Sequence, residues 1–179
     1  MAEVQDAGAV PGATAPDRTR TFSWSDPHAT AGGMRGRTGR QFLDALAAGE
    51  LPPPPILALV DARLVRVEDG EVQFDCEPAE YHYNPIGSVH GGVIATLLDS
   101  AAGCAVQSTL PEGVGYTSLD LSVKYLRAVR ADGGTVSCVG TVVHRGRRTA
   151  LAQAELRDSS GRLLATATSS CIILEAAGG

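Results

Sequence analysis

The stretch NPIGSVHGGVIATLLDSAAGCAVQSTL, residues 84–110, decides how the chain folds. Val93, Ile94, Leu97, Leu98, Ala101, Ala102, Ala105 and Val106 return every three to four residues, the spacing of an apolar stripe on a helix. That spacing predicts one long helix over Val93–Leu110, ended by Pro111 and Gly113. Its other side is unusual. Asp99 carries the only formal charge between Tyr81 and Pro111, and at about 100° per residue it shares a face with Thr96, Gly103 and Gln107. A solvated face would be crowded with Lys, Glu and Arg, so this small, nearly uncharged one must be covered, and a second subunit would do so. A lone carboxylate under such a cover must be hydrogen-bonded or functional to offset its desolvation.

Just before the helix, Gly91 and Gly92 follow His90. Paired glycines at a helix start cost propensity, so they point to close approach by a ligand or another backbone. The free N–H groups of a first helical turn, with the macrodipole behind them, form a place for an oxyanion. His90 reads equally as part of that place or as a structural imidazole in a loop.

Working outward, Thr38 can cap a short helix with Phe42, Leu43, Leu46 and Ala47 on one face, stopped by Gly49 and Pro52–Pro55. Ile56–Val67 and Glu71–Cys76 read as two strands joined at Asp69-Gly70. After the long helix, strands are expected over Ser118–Arg127, Thr135–His144, Thr149–Arg157 and Leu163–Leu174, the third alternating alanines with polar residues. The order predicts an α+β fold in which an antiparallel sheet wraps one helix. Residues 1–37, with scattered Phe22, Trp24 and Met34 and no periodicity, read as a flexible tail, and residues 38–175 as a single domain.

Composition narrows the function. The chain has 179 residues and a net charge of −5, the wrong sign for a nucleic-acid partner. No apolar run approaches the roughly 20 residues of a membrane span, and no basic, apolar leader opens the sequence, so a cytoplasmic protein away from membranes is expected. Cys76, Cys104, Cys138 and Cys171 are too far apart for a Cys-x-x-Cys site and read as reduced, buried thiols.

Asn84-x5-His90-Gly91-Gly92-x6-Asp99, followed by Gly115-Tyr116-Thr117-Ser118-Leu119-Asp120-Leu121-Ser122-Val123-Lys124-Tyr125-Leu126-Arg127, resembles the hotdog-fold acyl-CoA thioesterases of the phenylacetate-degradation (PaaI) type. The similarity runs from about Thr38 to Leu174 and leaves out the N-terminal stretch. It implies a hotdog protomer, paired into a dimer or a dimer of dimers, with active sites between protomers. By position, the resemblance implies that the Gly91 N–H polarises the thioester carbonyl, with His90 and Gly92 beside it and Asn84 near the same oxygen or the attacking water. Asp99 then matches the catalytic carboxylate, arriving from across the interface as general base or nucleophile. Ser118 matches the hydroxyl that positions water or carboxylate, and Thr117 next to it remains the alternative. A thioester is already activated, so this chemistry asks for no metal and no cofactor beyond the coenzyme A that is part of the substrate. Arg147 and Arg148, at a turn with Arg145, are the candidate phosphate contacts. Two other readings share the fold: a non-catalytic acyl-CoA or acyl-carrier binding module, and a dehydratase or hydratase using His90 and Asp99.

Overall fold

The computed structural model describes Arg18 to Glu175. Its centre is α4, Gly91–Ser108, where Leu97, Leu98, Ala101, Ala102, Ala105 and Val106 are buried. Around it bends a seven-stranded, wholly antiparallel sheet in the order β1-β2-β5-β6-β7-β3, with β4 also on β7. The strands are β1 Ala62–Glu68, β2 Glu71–Cys76, β3 Val114–Ser118, β4 Ser122–Tyr125, β5 Val136–Arg145, β6 Thr149–Arg157 and β7 Leu163–Glu175. This is the sheet-round-helix architecture expected from the sequence.

The small residues of α4 explain how close sheet and helix come. Gly140 of β5 packs directly on the Ala101 carbonyl, with no room there for a Cβ. Ala150, Ala152, Ala154 and Leu156 turn the inner face of β6 to the helix, while Leu151 and Gln153 face out. Cys76, Cys138 and Cys171 are buried free thiols and Cys104 is half-buried, in line with the expected reduced cysteines.

Three short helices precede the sheet or interrupt its approach: α1 Pro27–Gly32, α2 Gly39–Ala47 and α3 Pro55–Val60. α2 begins where expected, with Thr38 and Gln41 forming a reciprocal capping box. α3 corrects the sequence reading, which ran a strand from Ile56. Pro55 presets the first helical turn, and Asp61, in the left-handed conformation at φ 53°, ends it before β1 starts. The expected strand from Ser118 to Arg127 is two strands, β3 and β4, which begin four residues earlier and are broken at Asp120. There the Asp120 carboxylate accepts from the Ser170 N–H, and its carbonyl accepts from the Ser169 hydroxyl. Within the stretch read as a tail, the described residues carry α1, whose buried Thr30 donates to the Pro52 carbonyl at 2.9 Å. Arg20 donates to the Ala58 and Leu59 carbonyls at the end of α3; residues 1–17 lie outside the described part. No helix among the described residues is long and apolar enough to cross a membrane.

Candidate functional site

The helix start is built by its own cap. His90 lies in an extended conformation, and its Nδ1 accepts the Gly92 N–H at 2.9 Å. Behind it the His90 N–H donates to the His82 carbonyl at 2.8 Å, which ties the cap to a buried turn. His82 is itself buried, and desolvation pushes its imidazole below the ordinary histidine range. The cap thus consumes the Gly92 amide, one of the two glycine amides the sequence offered. The Gly91 N–H has no partner among the described residues and stands free at the positive end of the helix.

Asn84 is engaged within its own loop. Its Oδ1 accepts the Ile86 and Ser88 N–H groups, and its Nδ2 donates to the Ser88 hydroxyl at 3.2 Å. These bonds close the turn that carries the chain past Gly87, at φ 74°, into His90. Asn84 therefore shapes the loop.

Asp99 lies two turns further along α4. The Ser118 hydroxyl donates to its Oδ1 at 3.0 Å, a contact spanning 19 residues of chain. Strand alternation explains the partner: Tyr116 and Ser118 point towards α4, and Thr117 to the other side of β3. The hydroxyl that meets Asp99 is thus that of Ser118 and not that of Thr117.

The cover over the Asp99 face comes partly from the chain itself. Tyr116 of β3 lies on Gly103, where a Cβ would overlap its hydroxyl, and Gly39 of α2 seals the buried Gln107. Asp99 and Thr96 stay half-exposed. Sequence reasoning assigned all of this covering to a second subunit, because contacts from β3 and α2 leave no trace in helical periodicity.

Sequence reasoning also passed over Tyr125. Its hydroxyl donates to the Gly91 carbonyl at 3.0 Å, and a Cβ on Gly91 would sit 3.2 Å from its ring. The tyrosine braces the first turn from β4 and leaves little room beside Gly91. Only the strand assignment could have suggested it, since nothing local links the two residues.

Cys104 sits between Asp99 and Tyr116, and burial followed by the Asp99 charge pushes its thiol up to about 12. Cys138 is likewise pushed up to about 12 by burial, and Cys76 to about 11. All three stay protonated at neutral pH, and thiolate is the reactive form. Titration with dithionitrobenzoate at pH 8 is expected to be slow for the buried Cys76, Cys138 and Cys171 of the folded protein and to reach four thiols only after denaturation; rapid labelling of all four thiols in the folded protein would contradict that burial.

Arg145 is occupied structurally, donating to the Thr109 carbonyl at the C-terminal end of α4. Arg147 and Arg148 are exposed on the β5–β6 turn. Register places Thr149 opposite Ile172 and Ile172 opposite Thr117, so this turn lies two strand spacings, about 10 Å, across the sheet from β3.

Beside Asp99 opens a cavity of about 690 Å³, walled by α2, α3, β1 and Phe74 of β2. The arrangement thus combines a carboxylate with a hydroxyl donor, a free amide at a helix start and an apolar chamber.

Comparison with known proteins bears on the fold and the family. The model of the thioesterase superfamily matches residues 86–165. A Halobacterium salinarum protein is 38% identical over 82 residues, 43% of this chain, which spans only about half (54%) of that relative's length. Human acyl-coenzyme A thioesterase 13 is 29% identical over 103 residues, covering 57% of this chain and 72% of that protein. The solved structure of a phenylacetic acid degradation-related protein from Ralstonia eutropha superposes with a TM-score of 0.67 at 28% identity, over 73% of this chain and 98% of that one. With the family match lying on the helix, its glycine start and the strands around it, the chain belongs to the thioesterase superfamily, in its PaaI-type hotdog form.

Proposed function

We propose that the chain hydrolyses acyl-CoA thioesters to the free acid and coenzyme A, in sites shared by two copies. One observation carries this reading: Asp99, bonded by Ser118, and the free Gly91 N–H lie on one helix, eight residues and therefore about 12 Å apart. Groups so far apart cannot grip one carbonyl. A second copy resolves the separation by bringing its own helix start to Asp99. The open edge of β3 supports such pairing, as does Leu119, the residue directly after that strand, at 59% exposure. The name of the human relative supports acyl-CoA as the substrate class.

In this reading the thioester carbonyl oxygen sits on the Gly91 N–H of one copy and its carbon faces Asp99 of the other. Ser118 occupies Oδ1 of the carboxylate, which leaves Oδ2 for the reaction. As general base, Oδ2 takes a proton from water while the water oxygen bonds to the carbonyl carbon. As nucleophile, it bonds to that carbon itself, and water then opens the mixed anhydride. On either route negative charge grows on the carbonyl oxygen against the amide and the helix dipole, and the C–S bond breaks; the departing thiolate takes back the proton held by Asp99 on the general-base route, or one from water on the nucleophile route, and leaves as the coenzyme A thiol. His90 and Asn84 hold the amide in place, His90 as cap and Asn84 through the preceding turn. Arg147 and Arg148 are the cations available to the coenzyme A phosphates.

Mixing tests the sharing directly. Asp99→Ala and Gly91→Val are each expected to be inactive in thiol release from acyl-CoA. Unfolded and refolded together in equal amounts, they are expected to recover about a quarter of wild-type activity, because half of the two-fold dimers then hold one intact site of two. Recovery absent from a mixture shown to contain heterodimers would refute the shared site.

A further inference from the structure

We propose that Tyr116, seated on Gly103, is the partition that selects the acyl group: an apolar group much larger than acetyl, held in the chamber beside Asp99. The proposal rests on Asp99 being the centre of thioester hydrolysis.

Two cavities meet at the Tyr116 ring. The larger, about 690 Å³, runs from Asp99 and Cys104 outward between α2, α3 and β1. The smaller, about 490 Å³, begins at Ser118 and runs under α1 towards Met34. Leu43, Leu46, Pro54, Cys104 and Tyr116 border both. Asp99 opens only into the larger one and Ser118 only into the smaller, so the reacting pair sits at the junction and the tyrosine ring stands between the two routes.

The size and walls of the larger chamber name the ligand class. A volume of 690 Å³ falls within the roughly 300–1,000 Å³ that enclose drug-sized ligands, far more than an acetyl group fills. Leu43, Leu46, Leu57, Leu64 and Phe74 supply an apolar interior, whereas Asp61 and Arg63 are exposed at the outer end. Such walls reward each buried methylene by about fourfold in binding and offer nothing to a polar acyl group.

Gly103 fixes the partition. It is buried, and any Cβ there would overlap the Tyr116 hydroxyl and ring. No hydrogen bond to the Tyr116 hydroxyl exists among the described residues, so the ring is placed by packing on the glycine rather than by its polar tip. Burial accordingly holds this phenol well above its ordinary range. An added methyl at 103 must swing the ring into a cavity, whereas removal of the ring joins the two.

The test measures kcat/KM for thiol release from acetyl-CoA, decanoyl-CoA and hexadecanoyl-CoA. In Gly103→Ala the decanoyl-to-acetyl ratio is expected to fall about tenfold, and in Tyr116→Ala the hexadecanoyl-to-decanoyl ratio to rise about tenfold, the scale of small changes in an apolar pocket. Tyr116→Phe is expected to leave both ratios unchanged. Should Gly103→Ala fail to fold, the Tyr116 variants carry the test alone. Ratios within about twofold of wild type in every folded variant overturn the proposal. Wild-type protein that releases thiol from none of the three refutes the hydrolase reading by itself. Calorimetric binding of decanoate then decides the pocket: weakening in Gly103→Ala, or altered affinity in Tyr116→Ala, upholds it, and no binding or equal affinities overturn it.

Discussion

Asp99→Asn is expected to lower kcat for acyl-CoA hydrolysis about 10³-fold with little change in KM, the range lost when a positioned acid or base is removed. The substitution is nearly isosteric, and the amide oxygen of Asn can still accept the Ser118 hydroxyl, so the 3.0 Å contact and the packing around it survive. What disappears is the oxygen able to take a proton from water or to attack the carbonyl. Ser118→Ala, which keeps both carboxylate oxygens and loses only their orientation, is expected to cost far less, about tenfold. Steady-state thiol release with a single acyl-CoA measures both. A drop smaller than tenfold in Asp99→Asn would remove Asp99 from the chemistry, and equal losses in the two variants would make Asp99 and Ser118 parts of one structural contact.

The order of these effects follows from features unequally visible in the sequence. The helix carrying Asp99 was legible because its stripe repeats over eighteen residues, and α2 because Thr38 and Gln41 cap it locally. β6 matched the sequence reading from Thr149 to Arg157 because alanines alternate there with larger polar residues. Ile56–Val60 was misread, since a five-residue apolar run fits a strand or a helix equally. The deciding features are Pro55 at the first turn and the left-handed Asp61. The candidate site divides the same way. His90, Gly91 and Asp99 sit in one continuous motif and were found together. Tyr125 on Gly91, Tyr116 on Gly103 and α2 on Gln107 arise from contacts distant in sequence, which no local spacing records. Asn84 shows the complementary limit: its position in the motif was plain, yet its use in closing a turn appears only in three dimensions.

Gly140→Ala is expected to destabilise the fold by about 3 kcal/mol, the upper part of the range for overpacking a close-packed interior. For a chain of this size that lowers Tm by about 6–12 °C. Gly140 lies in β5, held between β2 and β6, and a methyl there would overlap the Ala101 carbonyl of α4. Neither side can yield locally, because the strand is paired on both edges and the obstacle is helix backbone rather than the end of a flexible side chain. Relief requires α4 to lift away from the sheet at Ala101, two residues after Asp99. The substitution is therefore expected to reduce kcat as well as stability, even at temperatures where the protein remains folded. Gly133→Ala provides the comparison: it has open space around the added methyl and is expected to stay within about 0.5 kcal/mol of wild type. Denaturant unfolding followed by circular dichroism, paired with thiol-release kinetics well below each Tm, separates the two effects. If Gly140→Ala melted with wild type, the close seating of helix on sheet that positions Asp99 against Ser118 would be wrong.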